Sequence, residues 1–343
     1  MAKKSLAIDA MGGDMGPSEI VEGVKLSIDN WQSLEELILV GDENILNPLL
    51  KTAKLRNNPK IRVLHASEVI GMDEKPIQSL KKKKDSSMVR ALELVKDGEA
   101  SGILSCGNTG SLMAGGTIKI RPLEGVDRPA LAAVMPGRDG HFVLVDVGAN
   151  PTSEPLNIVH NAVLGSNYAR VTLGIEKPRV GLLTIGIEEG KGNEVVNESH
   201  KLLKGLQGTI QYEGLIEGFQ LFDNAVDVIV CDGFVGNVLL KSSEGLFNMI
   251  KDLLKEEMMQ GMVRKVGAVM TKGAFTSMKS KLSPERFGGA PLLGLKGHVF
   301  KAHGSSNRHS IASGIRVALD LIHCEMLEQV KLDIKSVNEI IKN

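Results

Sequence analysis

Hydrophobic and polar positions alternate along this chain in short blocks. Runs rich in Val, Ile and Leu recur, and nearly every one gives way to Gly, Asp, Asn or Ser: 5–10, 37–40, 102–105, 142–145, 180–185, 226–231 and 299–302. Blocks with helical periodicity lie between them. In 87–96, for example, Met88, Ala91, Leu92 and Val95 share one face and Gly98 supplies a stop. A rhythm of strand, loop, helix and strand predicts right-handed crossovers and a largely parallel sheet covered on both faces, a three-layer α/β/α unit spanning 1–343. Ligands in such folds bind beyond the carboxyl ends of the strands, so the polar loops are expected to gather along one edge.

One stretch breaks the rhythm. From 243 to 286 there is no strand block but a long helical pattern that includes Leu246, Met249, Ile250, Leu253, Leu254, Met258, Met262, Val266 and Met270. Gly261 and Gly267 interrupt it, which predicts a helical hairpin or a kinked pair. Seven lysines and arginines face three acidic residues within 248–281. Such a methionine-rich cationic hairpin suits an anionic membrane surface, with Leu253 and Leu254 as the contacts to test; a dimer interface or buried core helices are the other readings.

The block 101–116, SGILSCGNTGSLMAGG, is the strongest chemical signal. A strand breaks into Gly107-Asn108-Thr109-Gly110 and small residues then open a helix, an arrangement that lets backbone N–H groups approach an anion. It matches neither the P-loop nor the dinucleotide fingerprint. A tight strand-to-helix connection without a ligand fits the same residues.

Composition narrows the classes. Lysine plus arginine and aspartate plus glutamate balance at 41 each, and only 3% of residues are aromatic, so nucleic-acid binding is set aside. Three separated cysteines, Cys106, Cys231 and Cys324, argue for a reducing compartment. The apolar start is stopped by Asp9, against a signal peptide, and no apolar run reaches bilayer length; a cytoplasmic protein is expected. Cys106 and Cys231 precede candidate loops but lack basic neighbours, which favours packing over nucleophilic roles. His298, His303 and His309 have no metal-ligand spacing, and no metal is expected.

Taken together, IDAMGGDMGP (8–17), MDEKP (72–76), KKKDSSM (82–88), GNTGSLMAGG (107–116), RPALAAVMPG (128–137), VDVGAN (145–150), EEGKGNE (188–194), VCDGFVGNVLLKSSEG (230–245), GGAPLLG (288–294) and HGSSN (303–307) resemble the PlsX family, the phosphate acyltransferases of bacterial phospholipid synthesis. The resemblance covers essentially the whole chain in order. It implies an acyl carrier protein thioester as donor, inorganic phosphate as acceptor, and acyl phosphate as product for a membrane glycerol-3-phosphate acyltransferase. It further implies a homodimer, no cofactor, and a fold related to phosphotransacetylases and to isocitrate and isopropylmalate dehydrogenases. The chain departs from the family pattern at Lys81, at Pro151-Thr152-Ser153, at Thr184 and Ile187, and at Phe219-Gln220.

On this reading phosphate attacks the thioester directly, and positioning with electrostatic stabilisation carries the acceleration. Candidate phosphate and substrate ligands are Gly107, Asn108, Thr109 and Gly110 with Gly12, Gly13 and Asp14, joined by Lys191, Asn193, Ser306 and Asn307. Lys241 is the candidate catalytic cation, although a solvated helix lysine fits equally, and His303 is the candidate proton donor. Asp9, Asp14, Asp146 and Asp232 end strands and could simply fix loops, but Asp232 and Asn237 in CDGFVGN look functional. Lys81, Lys82, Lys83 and Lys84 form either a solvated face or a loop that steers an acidic carrier protein, with Asp85-Ser86-Ser87 capping the next helix. A phosphotransacetylase-like enzyme acting on acyl-CoA, a dehydrogenase of the same architecture, and a non-catalytic membrane scaffold are the competing readings.

Overall fold

A computed structural model of the chain describes residues 4–31, 35–188, 190–282 and 288–342. The strands are β1 (Ser5–Asp9), β2 (Glu36–Gly41), β3 (Ile61–His65), β4 (Gly102–Ser105), β5 (Ala130–Gly137), β6 (Gly140–Val145), β7 (Arg179–Thr184), β8 (Gln211–Glu217), β9 (Val228–Val230), β10 (Ala290–Leu293) and β11 (His298–Lys301). The helices are α1 (Gly16–Asn30), α2 (Glu43–Thr52), α3 (Pro76–Lys82), α4 (Ser87–Lys96), α5 (Thr109–Gly115), α6 (Pro155–Leu173), α7 (Glu194–Lys204), α8 (Gly233–Met258), α9 (Met262–Met270), α10 (Lys272–Leu282), α11 (Arg308–His323) and α12 (Met326–Lys342). All the strand blocks read from sequence become strands, and α4 occupies 87–96 as its periodicity predicts. Four strands, β3, β5, β8 and β10, lie outside those blocks.

One sheet runs β3-β2-β1-β4-β11-β10-β5-β6-β9-β7-β8. Strands β1, β2, β3, β4 and β11 are mutually parallel, as are β6, β7, β8 and β9. Between these halves β10 pairs antiparallel with both β11 and β5, and β5 pairs antiparallel with β6 in a hairpin closing at Gly137 and Gly140. These three reversals turn the second half against the first. The polar loops therefore leave from two opposite edges, not from the single edge that a uniformly parallel sheet would give.

Alternation along the strands divides the core into two layers. Leu6, Ile8, Leu37, Leu39, Val143, Val145, Val228 and Val230 pack with the buried faces of α1, α6, α11 and α12. On the opposite face, Ala7, Ile38, Val40, Ile103, Leu144 and Ile229 share a core with Met88, Leu92 and Val95 of α4. Beyond α4 and α5 the cover of this second face is supplied mainly by the start of α8, and the clefts described below open there.

The helical excursion differs from its predicted form. Its first arm continues α8, which starts at Gly233, and α9 and α10 make it a three-helix segment. Gly261 breaks the helix with φ 74°, whereas Gly267 sits inside α9; residues 283–286 lie outside the described residues. None of α9 is buried, and Leu253 and Leu254 are 52% and 38% exposed, so these are not core helices of this chain. No helix among the described residues is long and apolar enough to cross a membrane.

His298 at the start of β11 stacks on Phe300 with ring centroids 6.1 Å apart. Burial drives its pKa down to about 4. Its free value lies near 6.5, so as pH falls from about 6.5 to about 4 the unfolded chain binds a proton that the folded chain refuses, and stability drops by up to about 3 kcal/mol. His298→Phe is expected to flatten this acid limb. Urea unfolding at pH 7 and pH 4.5 measures it, and equal pH slopes in both proteins would contradict the assignment.

Candidate functional site

The site begins with a buried carboxylate at the end of β1. Asp9 accepts from Ser87 Oγ and Ser105 Oγ at 2.6 Å each and from the Gly12 N–H at 3.1 Å, which ties together the loop after β1, the start of α4 and the end of β4. Gly13, with φ 99°, brings this loop against Cys106 and the Gly304 carbonyl, and Asp14 N–H donates to that carbonyl at 2.8 Å. A side chain at Gly304 would strike the Asp14 carboxylate. The loops after β1, β4 and β11 thus converge as one wall.

Asp146 does the same for the second half. Its Oδ1 accepts from the N–H groups of Leu131, Gly148 and Ala149 and its Oδ2 from the Asn150 N–H and Nδ2, at 2.7–3.0 Å. Burial pushes this carboxyl up despite those donors. Both aspartates are loop anchors, the structural role open to strand-end aspartates.

α8 starts beside Asp146 and separates two clefts. The larger, about 1280 Å³, is lined along β5 from Leu131 to Arg138, by Met72 and Met113, by Leu240, Leu246, Phe247 and Ile250 of α8, and at its polar end by Asp14, Thr109, Asn237, Lys241, His303 and Ser306. The smaller, about 1080 Å³, lies at the other sheet edge among Thr184, Asn193, Phe219, Asp232, Phe234 and Val235. The predicted composite site is therefore divided. Asp14, Thr109, Asn237, Lys241, His303 and Ser306 share the larger cleft, while Asn193 and Asp232 line the smaller. The departures at 151–153, Thr184 and Phe219 also surround the smaller cleft.

Several predicted ligands are committed elsewhere. Asn108 Nδ2 donates to the carbonyls of Met72 and Glu74 at 2.6 and 3.1 Å, while its Oδ1 caps α5 by accepting from Ser111 N–H. The Gly107 N–H donates to Ser105 Oγ, and Gly107 and Gly110 are packed against Met88 and Pro76. The block 107–110 is thus a turn held by its side chains that presents Thr109 to the cleft, with the Gly107 N–H turned inward and the Asn108 amide taken by its own fold. The Asn108 bonds exist because the loop 71–74 folds over this turn, which local sequence does not reveal. Asn108→Ala is expected to cost about 2 kcal/mol through the lost cap and loop contacts. Chemical denaturation checks this, with unchanged stability as the contrary result.

Asp232, Asn193 and Asn307 each serve as helix caps, accepting from Val235, Val196, and His309 and Ser310 N–H groups. Lys191 pairs with Glu188 at 2.8 Å. Lys81 and Lys82 form the end of α3, not a loop, and Lys83 is held by Glu74 and the Val69 carbonyl, leaving Lys81, Lys82 and Lys84 exposed; Ser86 caps α4 as expected.

His303 is exposed and its orientation is set locally. His303 Nδ1 lies 2.8 Å from Ser305 Oγ and 3.3 Å from the Ser305 N, which leaves Nε2 as the ring nitrogen without a partner among the described residues. Ser306 is buried beside Cys106. Lys241, from α8, bonds Glu244 at 3.1 Å and remains more than half exposed. The thiols do not serve as nucleophiles: burial lifts Cys106 to about 12 and Cys231 well above its ordinary range.

Sequence reasoning missed Lys301. It ends β11, lines the larger cleft, and donates from Nζ to the carbonyls of Cys106 and Ala302. The available signal was a lysine closing the apolar strand HVFK, immediately before the His-Gly loop.

Solved structures share this architecture: a phosphotransacetylase from Streptococcus pyogenes (TM-score 0.64, 16% identity, 93% of this chain and 94% of that one) and a branched-chain phosphotransacylase from Enterococcus faecalis (TM-score 0.57, 16% identity, 93% and 99%). At that identity the likeness is one of fold. Sequence relatives lie far nearer. The phosphate acyltransferase of Thermoanaerobacter pseudethanolicus is 42% identical over 334 residues, covering 97% of this chain and 98% of the relative. That of Pelotomaculum thermopropionicum is 43% identical over 332 residues, covering 97% and 95%. A family profile described as fatty acid synthesis protein matches residues 4–329, and with these relatives it places the chain in that family, the PlsX family that its loops resemble.

Proposed function

We propose that the larger cleft transfers an acyl group from a carrier thioester to inorganic phosphate and releases an acyl phosphate. The observation that carries this reading is the convergence of Lys241, His303, Asn237 and Thr109 in one cleft with the apolar side chains of β5, Met72, Met113 and α8. The name phosphate acyltransferase borne by the relatives supports it. A phosphate oxygen attacks the thioester carbonyl carbon, the C–O bond forms and negative charge gathers on the carbonyl oxygen, where Asn237 and Lys241 polarise it. The C–S bond then breaks, and the departing thiolate takes the Nε2 proton of His303 in its imidazolium form, which is left as a neutral ring with Nδ1–H directed to Ser305 Oγ. The acyl chain lies along β5 and the apolar side of α8. The reaction so written uses no cofactor and no covalent enzyme intermediate.

The donor in this proposal is an acyl carrier protein, an acidic partner steered by Lys81, Lys82 and Lys84. The acyl phosphate then serves a membrane glycerol-3-phosphate acyltransferase in phospholipid synthesis. The exposed apolar stripe of α8 and α9 serves homodimer contact and peripheral attachment of a cytoplasmic enzyme to anionic lipid. With Leu253→Glu and Leu254→Glu combined, flotation with anionic vesicles is expected to disappear; retained flotation by the intact dimer would refute lipid contact.

The decisive assay incubates purified protein with phosphate and either long-chain acyl carrier protein or acyl-CoA and traps acyl phosphate with hydroxylamine. Product from the carrier-protein donor alone supports the proposal. Product from acyl-CoA alone reassigns the chain to phosphotransacetylase-like chemistry, and no product from either leaves the scaffold reading.

A further inference from the structure

Lys301 stands apart from the two cations read from the sequence, Lys191 and Lys241. Lys191 is outside the larger cleft and paired with Glu188, and Lys241 is solvent-exposed and paired with Glu244. Lys301 is largely enclosed, and its two hydrogen bonds go to the backbone carbonyls of Cys106 and Ala302. Among the described residues its third N–H has no protein acceptor, and the side chain lines the cleft with Thr109, His303 and Lys241. An enclosed ammonium without a bonded carboxylate is costly in the empty protein, and an anion that enters the cleft relieves that cost in a medium where charge attraction is weakly screened.

Resting on the acyl-transfer reading, we propose that Lys301 is the cation that binds the phosphate nucleophile at the inner end of the cleft, with Lys241 facing it from α8. The two carbonyls fix the ammonium by the loop after β4, so the third N–H is aimed before phosphate arrives. The carboxylates of Asp9 and Asp14 also act on the ammonium by charge, but neither hydrogen-bonds to it among the described residues. Burial lowers the lysine pKa, and a bound dianion raises it again, which is the expected sign for an anion-binding ammonium. Lys301 touches the nucleophile and leaves the thioester to His303, Asn237 and Lys241, so its loss should appear in phosphate affinity and not in affinity for the acyl donor.

The test measures inorganic phosphate binding to the whole protein by isothermal titration, without an acyl donor, in wild type, Lys301→Gln and Lys301→Arg. We expect the glutamine variant to bind phosphate about tenfold or more weakly and the arginine variant to recover most of the affinity. In turnover, the phosphate KM should rise in Lys301→Gln while the acyl-donor KM stays within about twofold. Wild-type phosphate affinity in a folded Lys301→Gln protein would overturn the proposal. If that variant does not fold, amine acetylation of the wild type followed by peptide mass spectrometry decides: phosphate should shield Lys301 from the reagent, and an unchanged rate would overturn the assignment. A wild type that binds phosphate through Lys301 but forms no acyl phosphate would retain this inference and refute the acyl-transfer reading.

Discussion

Gly236→Ala is expected to abolish acyl phosphate formation and to lower the unfolding free energy by about 3 kcal/mol or more. A methyl group at this position would lie 1.9 Å from the Asp146 carbonyl oxygen and 2.9 Å from Cys231 Sγ. The obstacle is backbone at the end of β6 and cannot rotate away. Relief requires α8 to lift off the sheet, which carries Asn237 and Lys241, one and five residues further on, out of the cleft. Gly245→Ala is the matched control on the same helix. No atom lies within 4 Å of its added methyl, so helix propensity alone applies and the change should be neutral or stabilising by up to about 1 kcal/mol. Urea denaturation and the hydroxylamine assay on both variants check the pair. Wild-type stability and turnover in Gly236→Ala would mean that α8 is not seated as described.

Removing the Asp146 carboxylate should be costlier still, about 4 kcal/mol for Asp146→Ala. Five N–H groups from Leu131, Gly148, Ala149 and Asn150 lose their acceptor together inside a water-poor joint. Asp146→Asn separates shape from acceptor capacity. One oxygen can still serve three donors, but the new amide then faces the two donors of Asn150, so an intermediate loss of about 2 kcal/mol is expected. Denaturation midpoints for the three proteins should fall in the order wild type, Asn, Ala. If Ala matches wild type, the carboxylate is not the anchor of this loop.

Asp9 and Asp146 illustrate what was legible. Each ends a short apolar run, and a carboxylate followed by glycines is a local pattern that builds a turn wherever it occurs. Asn108 illustrates the opposite case. Its side chain reads from sequence as a free ligand, but its amide is consumed by the carbonyls of a loop that only tertiary folding brings over it. In sequence, Asp232, Asn193 and His303 all lie in polar loops that follow strands and so read as one site. Asp232 and Asn193 sit at a different cleft from His303 because the β10 pairings and the β5–β6 hairpin reverse the sheet between them. Lys301 escaped notice for a related reason. A single lysine at a strand end reads as solvated until the loop after β4 closes around it.

By itself the sequence determined the elements with strong local codes: the principal strands, the capped helix α4, the strand-end aspartates, the place where the apolar helical excursion breaks the rhythm, and membership of a family through its ordered loops. Tertiary structure alone decided which loops meet, because strand direction depends on pairings between distant segments and not on the composition of any one of them. It also decided which polar groups remain free. A side chain's capacity to bind a ligand is what is left after its neighbours in space have taken their hydrogen bonds, and those neighbours are set by the fold.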